Sequence, residues 1–248
     1  MKSTDNNRNF LKAYLWDKWG QLDRDQEKGV PAPPFQKPYG DDASFVELIK
    51  PEDFNVGNIA LREALGRRRS RRRFTGDPLT LEELSWLLWS AQGVTGDNEG
   101  RRTAPSAGGR HPFETYLAVN RVEGLRPGLY RYLPFEHRLL VMGEVQGLEE
   151  RMAEVCHGQK FVAGAAVAFF WTALPYRAEW CYSLISHKMI AIDAGHLCQN
   201  LYLACEAIDA GVCAIGKYSQ HKMDHLLGVD GTDEFAIYGA VVGKTLHK

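Results

Sequence analysis

Six arginines crowd around one serine at Arg67-Arg68-Arg69-Ser70-Arg71-Arg72-Arg73, followed at once by Phe74. Guanidinium groups packed this closely repel one another unless an anion holds them. An arginine fork gives a phosphate two parallel hydrogen bonds in one plane. The competing reading is a solvated basic patch or a nucleic-acid footprint. Against it, the run lies between two helical patterns, and the chain balances 30 Lys and Arg against 31 Asp and Glu for a net charge of −1. A dedicated nucleic-acid binder shows a basic surplus. Phosphate binding is therefore the chemistry expected of the run.

Three other stretches have the make-up of ligand-facing loops. Thr103-Ala-Pro-Ser-Ala-Gly-Gly-Arg-His-Pro112 is rich in small residues, which let a backbone run close to a flat ligand and aim N–H groups at it. Gly211-Val-Cys-Ala-Ile-Gly-Lys217 ends a strand pattern in glycine beside a lysine, and Gly243-Lys244 places one more cation after the last strand. Each is weak alone, because Gly- and Pro-rich loops are mostly turns. The five cysteines are odd in number and show no metal-ligand spacing, so neither a disulfide framework nor a metal site is expected.

These segments need a scaffold, and 248 residues at 44% hydrophobic composition can build a substantial core. Residues 7–20 read as a short aromatic-rich helix, and residues 28–42, with four prolines, as extended chain. Residues 1–55 are expected to form an N-terminal extension lying on the core or on a partner subunit, with residues 56–248 as the main domain. Helical spacing covers 59–67. Thr80 and Glu83 form a capping box before the stripe Leu84, Leu87 and Leu88. Strands are expected at 115–119, at 129–133 and 138–142 as a hairpin, and at 162–171. Ile190, Ala194, Leu197, Leu201, Ala204 and Ile208 step as one helix face over 187–210, which Gly211 would end. A strand at 212–215, a helix at 220–227 and a strand at 235–242 complete an α+β chain with a mainly antiparallel sheet flanked by helices. The polar N-terminus does not resemble a signal peptide. The longest apolar run, 161–174, is shorter than the roughly 20 residues of a membrane span. A cytoplasmic protein without membrane or nucleic-acid partners is the expectation.

Over residues 58 to 244 the order and spacing resemble the nitroreductase superfamily, and most closely its SagB/ThcOx-type dehydrogenase branch. The resemblance is carried by Arg-Arg-Ser-x-Arg-x-Phe (68–74), Ala-Pro-Ser-Ala-Gly-Gly-x-His-Pro (104–112), Asp193-Ala-Gly-His-Leu-Cys-Gln-Asn-Leu201 and Gly128-Leu-Tyr-Arg-Tyr132. It implies an entwined homodimer with FMN at the subunit interface. It matches Arg68, Arg69, Ser70 and Arg72 to the run that holds FMN. Pro105, Ser106, Ala107, Gly108 and Gly109 match the loop along the flavin ring, usually given by the partner subunit. Ile215 and Gly216 match the strand end beside flavin N5, and Lys244 a second phosphate cation. Many relatives carry an asparagine where this chain has Gly109.

No catalytic side chain is expected, since the flavin carries the chemistry and the protein supplies position and electrostatics. Arg110, His111, Tyr176, Arg177 and His196 read as structural first. The implied reaction is NADH- or NADPH-driven ping-pong hydride transfer to nitroaromatic, quinone or similar acceptors. The branch also implies an alternative, oxidation of azoline rings in peptides with electrons passed to oxygen. A third reading is a flavin-binding protein without catalysis.

Overall fold

A computed structural model describes residues 4–96 and 100–246. The chain opens with a short helix α1 (Asp5–Phe10) and a 3-10 stretch at Tyr14–Gln21. Strand β1 (Phe45–Glu47), helix α2 (Leu61–Arg67) and helix α3 (Leu81–Gln92) follow. After the 103–112 loop come β2 (Phe113–Val119), β3 (Gly128–Leu133), β4 (Arg138–Gly143), α4 (Leu148–Val155), α5 (Lys160–Ala163) and β5 (Val167–Ala173). The last part holds α6 (Tyr176–Tyr182), the long α7 (Ser186–Glu206), β6 (Ala210–Ile215), α8 (Gln220–Leu227) and β7 (Phe235–Lys244). One sheet runs β1-β4-β3-β2-β5-β7-β6, with every neighbouring pair antiparallel.

The alternation of β5 explains the two layers of core. Val167, Phe169, Trp171 and Ala173 face α3 and α7, whereas Ala168 and Phe170 face the layer of α4, α5 and α8. A strand covered on both faces is apolar almost throughout, and all seven residues of β5 are buried. The α7 stripe expected from sequence is buried along its whole length, from Ile190 to Ile208. At the start of α3, Thr80 Oγ1 accepts from the Glu83 N–H, and the Glu83 carboxylate accepts from the Thr80 N–H, closing the expected capping box.

The structure departs from the sequence pattern at several elements. The apolar run at 162–171 is split: α5 takes Lys160–Ala163, Gly164 caps it, and the strand starts only at Val167. Periodicity cannot separate a buried helical turn from a buried strand in so short a run. Helix α7 ends at Glu206, and the left-handed turn after it is Asp209 (φ +53). Gly211 instead lies inside β6. A Cβ there would sit 2.5 Å from Thr245 Cγ2 and 2.8 Å from Arg71 Cβ, so only glycine permits this close approach. The 7–20 helix is two short pieces, neither burying a residue, so no packed face holds one continuous helix together. Helices α4 and α6 and strand β1 carry no signal in the pattern read above.

The N-terminal segment is stitched into the core. β1 pairs with β4, and Leu48 joins the α3/α7-side core. Residues 33–38 cross over buried arginines: Arg131 donates to the Lys37 and Pro38 carbonyls at 3.0 Å, and Arg102 to the Phe35 carbonyl at 3.0 Å. The Lys37 N–H donates to Glu114 at 2.7 Å, and that carboxylate also pairs with the buried Arg177.

Candidate flavin site

Helix α2 ends at Arg67, and the arginine run continues as extended chain alongside β6. Ser70 bridges Val212 in parallel, and the Arg71 N–H donates to the Val212 carbonyl at 2.9 Å. The run then divides by partner. Arg67 and Arg71 both reach the fully buried carboxylate of Glu206 on α7, and Arg67 also pairs with Glu63 and Asp209. Arg68 and Arg72 have no carboxylate partner among the described residues. Arg68 stands over the Tyr202 ring at 5.4 Å and Arg72 over the Phe161 ring at 5.6 Å. Arg69 folds back onto the Gly66 and Arg68 carbonyls. Ser70 Oγ lies 2.8 Å from the Tyr202 hydroxyl, which also accepts from the Ala214 N–H at 3.0 Å. Tyr202 therefore ties the serine to the end of β6.

β6 ends in Ile215, which is buried, and Gly216, which is exposed with nothing within 4 Å of where a Cβ would stand. Ile215 lies three residues beyond Val212, a distance of about 10 Å along a strand. Lys217 follows as an exposed cation. Lys244 does not join Arg68 and Arg72: its ammonium is held by Glu83 and by the Ile208 carbonyl, at the capped start of α3.

The 105–109 loop is anchored elsewhere on α7. Asp193, buried in the helix, accepts from Ser106 Oγ and the Ala107 N–H through one carboxylate oxygen. The His111 N–H in turn donates to Ser106 Oγ at 2.9 Å. Burial holds the Asp193 carboxyl above its ordinary range, against the pull of these two donors. Gly108 (φ +58) and Gly109 (φ +62) adopt the left-handed conformation that glycine favours. Pro105 and Gly108 are exposed, so the loop turns its outer face to solvent.

Arg110, His111 and Arg177 are all buried and bonded to backbone, which makes them the frame of the loop. Burial, reinforced by Arg102, lowers His111 to about 4, so its ring is neutral and Nε2–H donates to the Gly100 carbonyl. A cavity of about 540 Å³ opens between the 33–38 crossing and the end of β5, lined by Pro33, Pro38, Leu174, Tyr176 and Arg177. It contains none of the residues expected to contact a cofactor.

Asp193, Tyr202 and Glu206 do the positioning, and of these only Asp193 stood in a sequence motif. Their signal is three polar side chains on the buried face of an otherwise apolar helix, each needing a partner. From Asp193 to Tyr202 is nine residues, about 13 Å along the α7 axis. One chain therefore holds the arginine run and the glycine loop at opposite halves of the helix. Guanidinium groups at Arg68 and Arg72 without carboxylates, a serine hydroxyl between them in the chain and an open strand end at Gly216 suit a phosphate tethered to a flat ring, so the residues fit FMN.

A family model described as the nitroreductase family matches residues 65–244. A nitroreductase-family protein of Methanocaldococcus jannaschii is 32% identical over 71% of this chain and 87% of its own length. The trifolitoxin-processing protein TfxB of Rhizobium leguminosarum bv. trifolii is 26% identical over 57% of this chain, which spans only 39% of that protein. Among solved structures, a nitroreductase-family protein of Ralstonia eutropha aligns over 88% of this chain and all of its own, at 26% identity and a TM-score of 0.70. One from Anabaena variabilis aligns over 75% of this chain, at 28% identity and a TM-score of 0.65, but this covers only 38% of that chain. A chain of the E. coli microcin synthetase McbBCD complex shares the fold over 97% of this chain and 94% of its own, at 18% identity and a TM-score of 0.64.

Proposed function

The chain belongs to the nitroreductase family, and from that footing we propose that it is an FMN-dependent oxidoreductase driven by NADH or NADPH. One observation carries the reading: within a single arginine run, Arg67 and Arg71 are neutralised by Glu206 while Arg68 and Arg72 are left for an anion. When bound, FMN supplies hydride chemistry at its N5 atom. Arg68, Ser70 and Arg72 would hold its phosphate and polar edge, and Ile215 and Gly216 would border its ring. Pro105 to Gly109 would come from a partner subunit, as the resemblance to the family implies. In this reading the protein is a homodimer with two composite sites.

The visible spectrum of the purified protein tests the reading, first as isolated and then with NADH or NADPH added without air. Flavin bands that bleach support it. A protein that neither carries FMN nor takes it up on reconstitution overturns it.

A second reading has its own support in the likeness to the trifolitoxin-processing protein and to the microcin synthetase chain. In it the substrate is an azoline ring in a peptide, which loses two electrons and two protons to become aromatic while oxygen is reduced to peroxide. Flavin bands that persist with nicotinamide but bleach with an azoline peptide would select this reading. Bands that persist with both leave a flavin-binding protein without turnover.

A further inference from the structure

The 3-10 stretch at Tyr14–Gln21 does not pack on the core in the ordinary way. Trp16 and Trp19 stack on each other with ring centroids 5.2 Å apart, and both approach Tyr182, at 6.2 Å and 6.0 Å. Tyr182 in turn fills the space over Gly108: a Cβ on that glycine would lie 2.5 Å from its hydroxyl oxygen. The ring is set in place by a strained backbone, since Ser183 immediately after it takes φ +47 and ψ −131. Arg24 closes the far end of the stack, its guanidinium 3.7 Å from the Trp19 ring centre. The stack therefore begins at the exposed Gly108 and runs outward. Trp16 remains 43% exposed, so part of the stack is open to solvent.

We propose that Trp16 and Trp19, supplied by the N-terminal segment and locked to the glycine loop through Tyr182, form an aromatic wall that binds a flat ring-shaped acceptor beside the flavin. The inference rests on the reading of residues 105–109 as the flavin-facing loop. It assigns the N-terminal segment a part in selecting among the acceptors. Stacked aromatic rings prefer planar partners and add specificity beyond buried area. Small hydrophilic acceptors gain nothing from such a wall.

Menadione serves as the flat probe and ferricyanide as the small one. In turnover, NADH and one proton reduce menadione by two electrons to menadiol, whereas two ferricyanide ions each take one electron. Isothermal titration calorimetry of menadione into the oxidised protein reads binding without turnover. Trp16→Leu should weaken menadione about fivefold in Kd and KM, with flavin content, melting temperature and ferricyanide turnover within twofold of wild type. Trp16→Phe, which keeps a ring, should restore affinity to within about twofold. Unchanged menadione affinity in Trp16→Leu overturns the wall, as does a Phe variant as weak as the Leu one. If no flavin is present, the flavin reading fails, and calorimetry on the same variants still decides whether the wall binds a ring.

Discussion

The Ser106 hydroxyl donates to the Asp193 carboxylate over 2.6 Å, and the Ala107 N–H reaches the same oxygen over 3.0 Å. Both donors need an acceptor but neither needs a charge. Asp193→Asn, with its amide oxygen in that place, should therefore cost less than about 1 kcal/mol. Asp193→Ala leaves two orphaned donors and should cost about 2–4 kcal/mol. Urea denaturation of the two variants measures the difference, and equal losses would show that the negative charge matters more than the acceptor.

His111 gives the fold a pH dependence with a definite sign. Its ring is lowered to about 4 by burial, with Arg102, Arg110 and Arg177 adding like charge. The unfolded chain binds the proton near the ordinary 6.5, so between about 6.5 and 4 the unfolded state holds more protons than the folded one. The contribution of this site is full above about 6.5 and falls by about 3 kcal/mol as the pH drops to 4. Denaturation midpoints at pH 7.5 and 5 should separate in the wild type and draw together in His111→Asn, which tolerates φ +45 better than most residues.

Neighbouring arginines should fail in different ways. Arg71→Gln strips the buried Glu206 of its closest cation and should cost about 3–5 kcal/mol of stability. Arg68→Gln or Arg72→Gln removes a group with no carboxylate partner among the described residues. Thermal melting should change by no more than about 0.5 kcal/mol, while FMN affinity falls at least tenfold, an effect of about 1.4 kcal/mol. A flavin titration that ranks Arg71 above Arg68 and Arg72 at matched stability would refute this division.

Lys244→Met makes the complementary case. The ammonium sits on the Glu83 carboxylate that completes the α3 cap, so the variant should destabilise by about 1–3 kcal/mol. FMN affinity should stay within about twofold, a change worth only about 0.4 kcal/mol. A large loss of flavin with an unchanged melting temperature would instead make Lys244 a direct phosphate ligand.

What the sequence made legible depended on how local the physics was. The α3 cap needs only Thr80 and Glu83, three residues apart, and α7 needs only its own stripe, so both could be read directly. The end of α7 could not, because Gly211, the expected stop, is needed inside β6, where Thr245 and Arg71 leave no room for a Cβ, while the left-handed turn falls at Asp209. The arginine run was visible as a cluster of cations. Its split into paired and unpaired members depends on Glu206, well over a hundred positions away in the chain. Strand β1 is three residues long, and its place in the sheet is decided by β4. The aromatic stack likewise joins residues 16 and 19 to residue 182, a contact no window of sequence contains.

The pairing of Ser70 with Val212 has a consequence for solubility. β6 is the last strand of the sheet, and an open strand edge invites another chain to add to it. Here the arginine run itself lies along that edge, pairing Ser70 and Arg71 with Val212, so the edge is covered there. The segment proposed to hold a phosphate thus also covers an edge of the sheet.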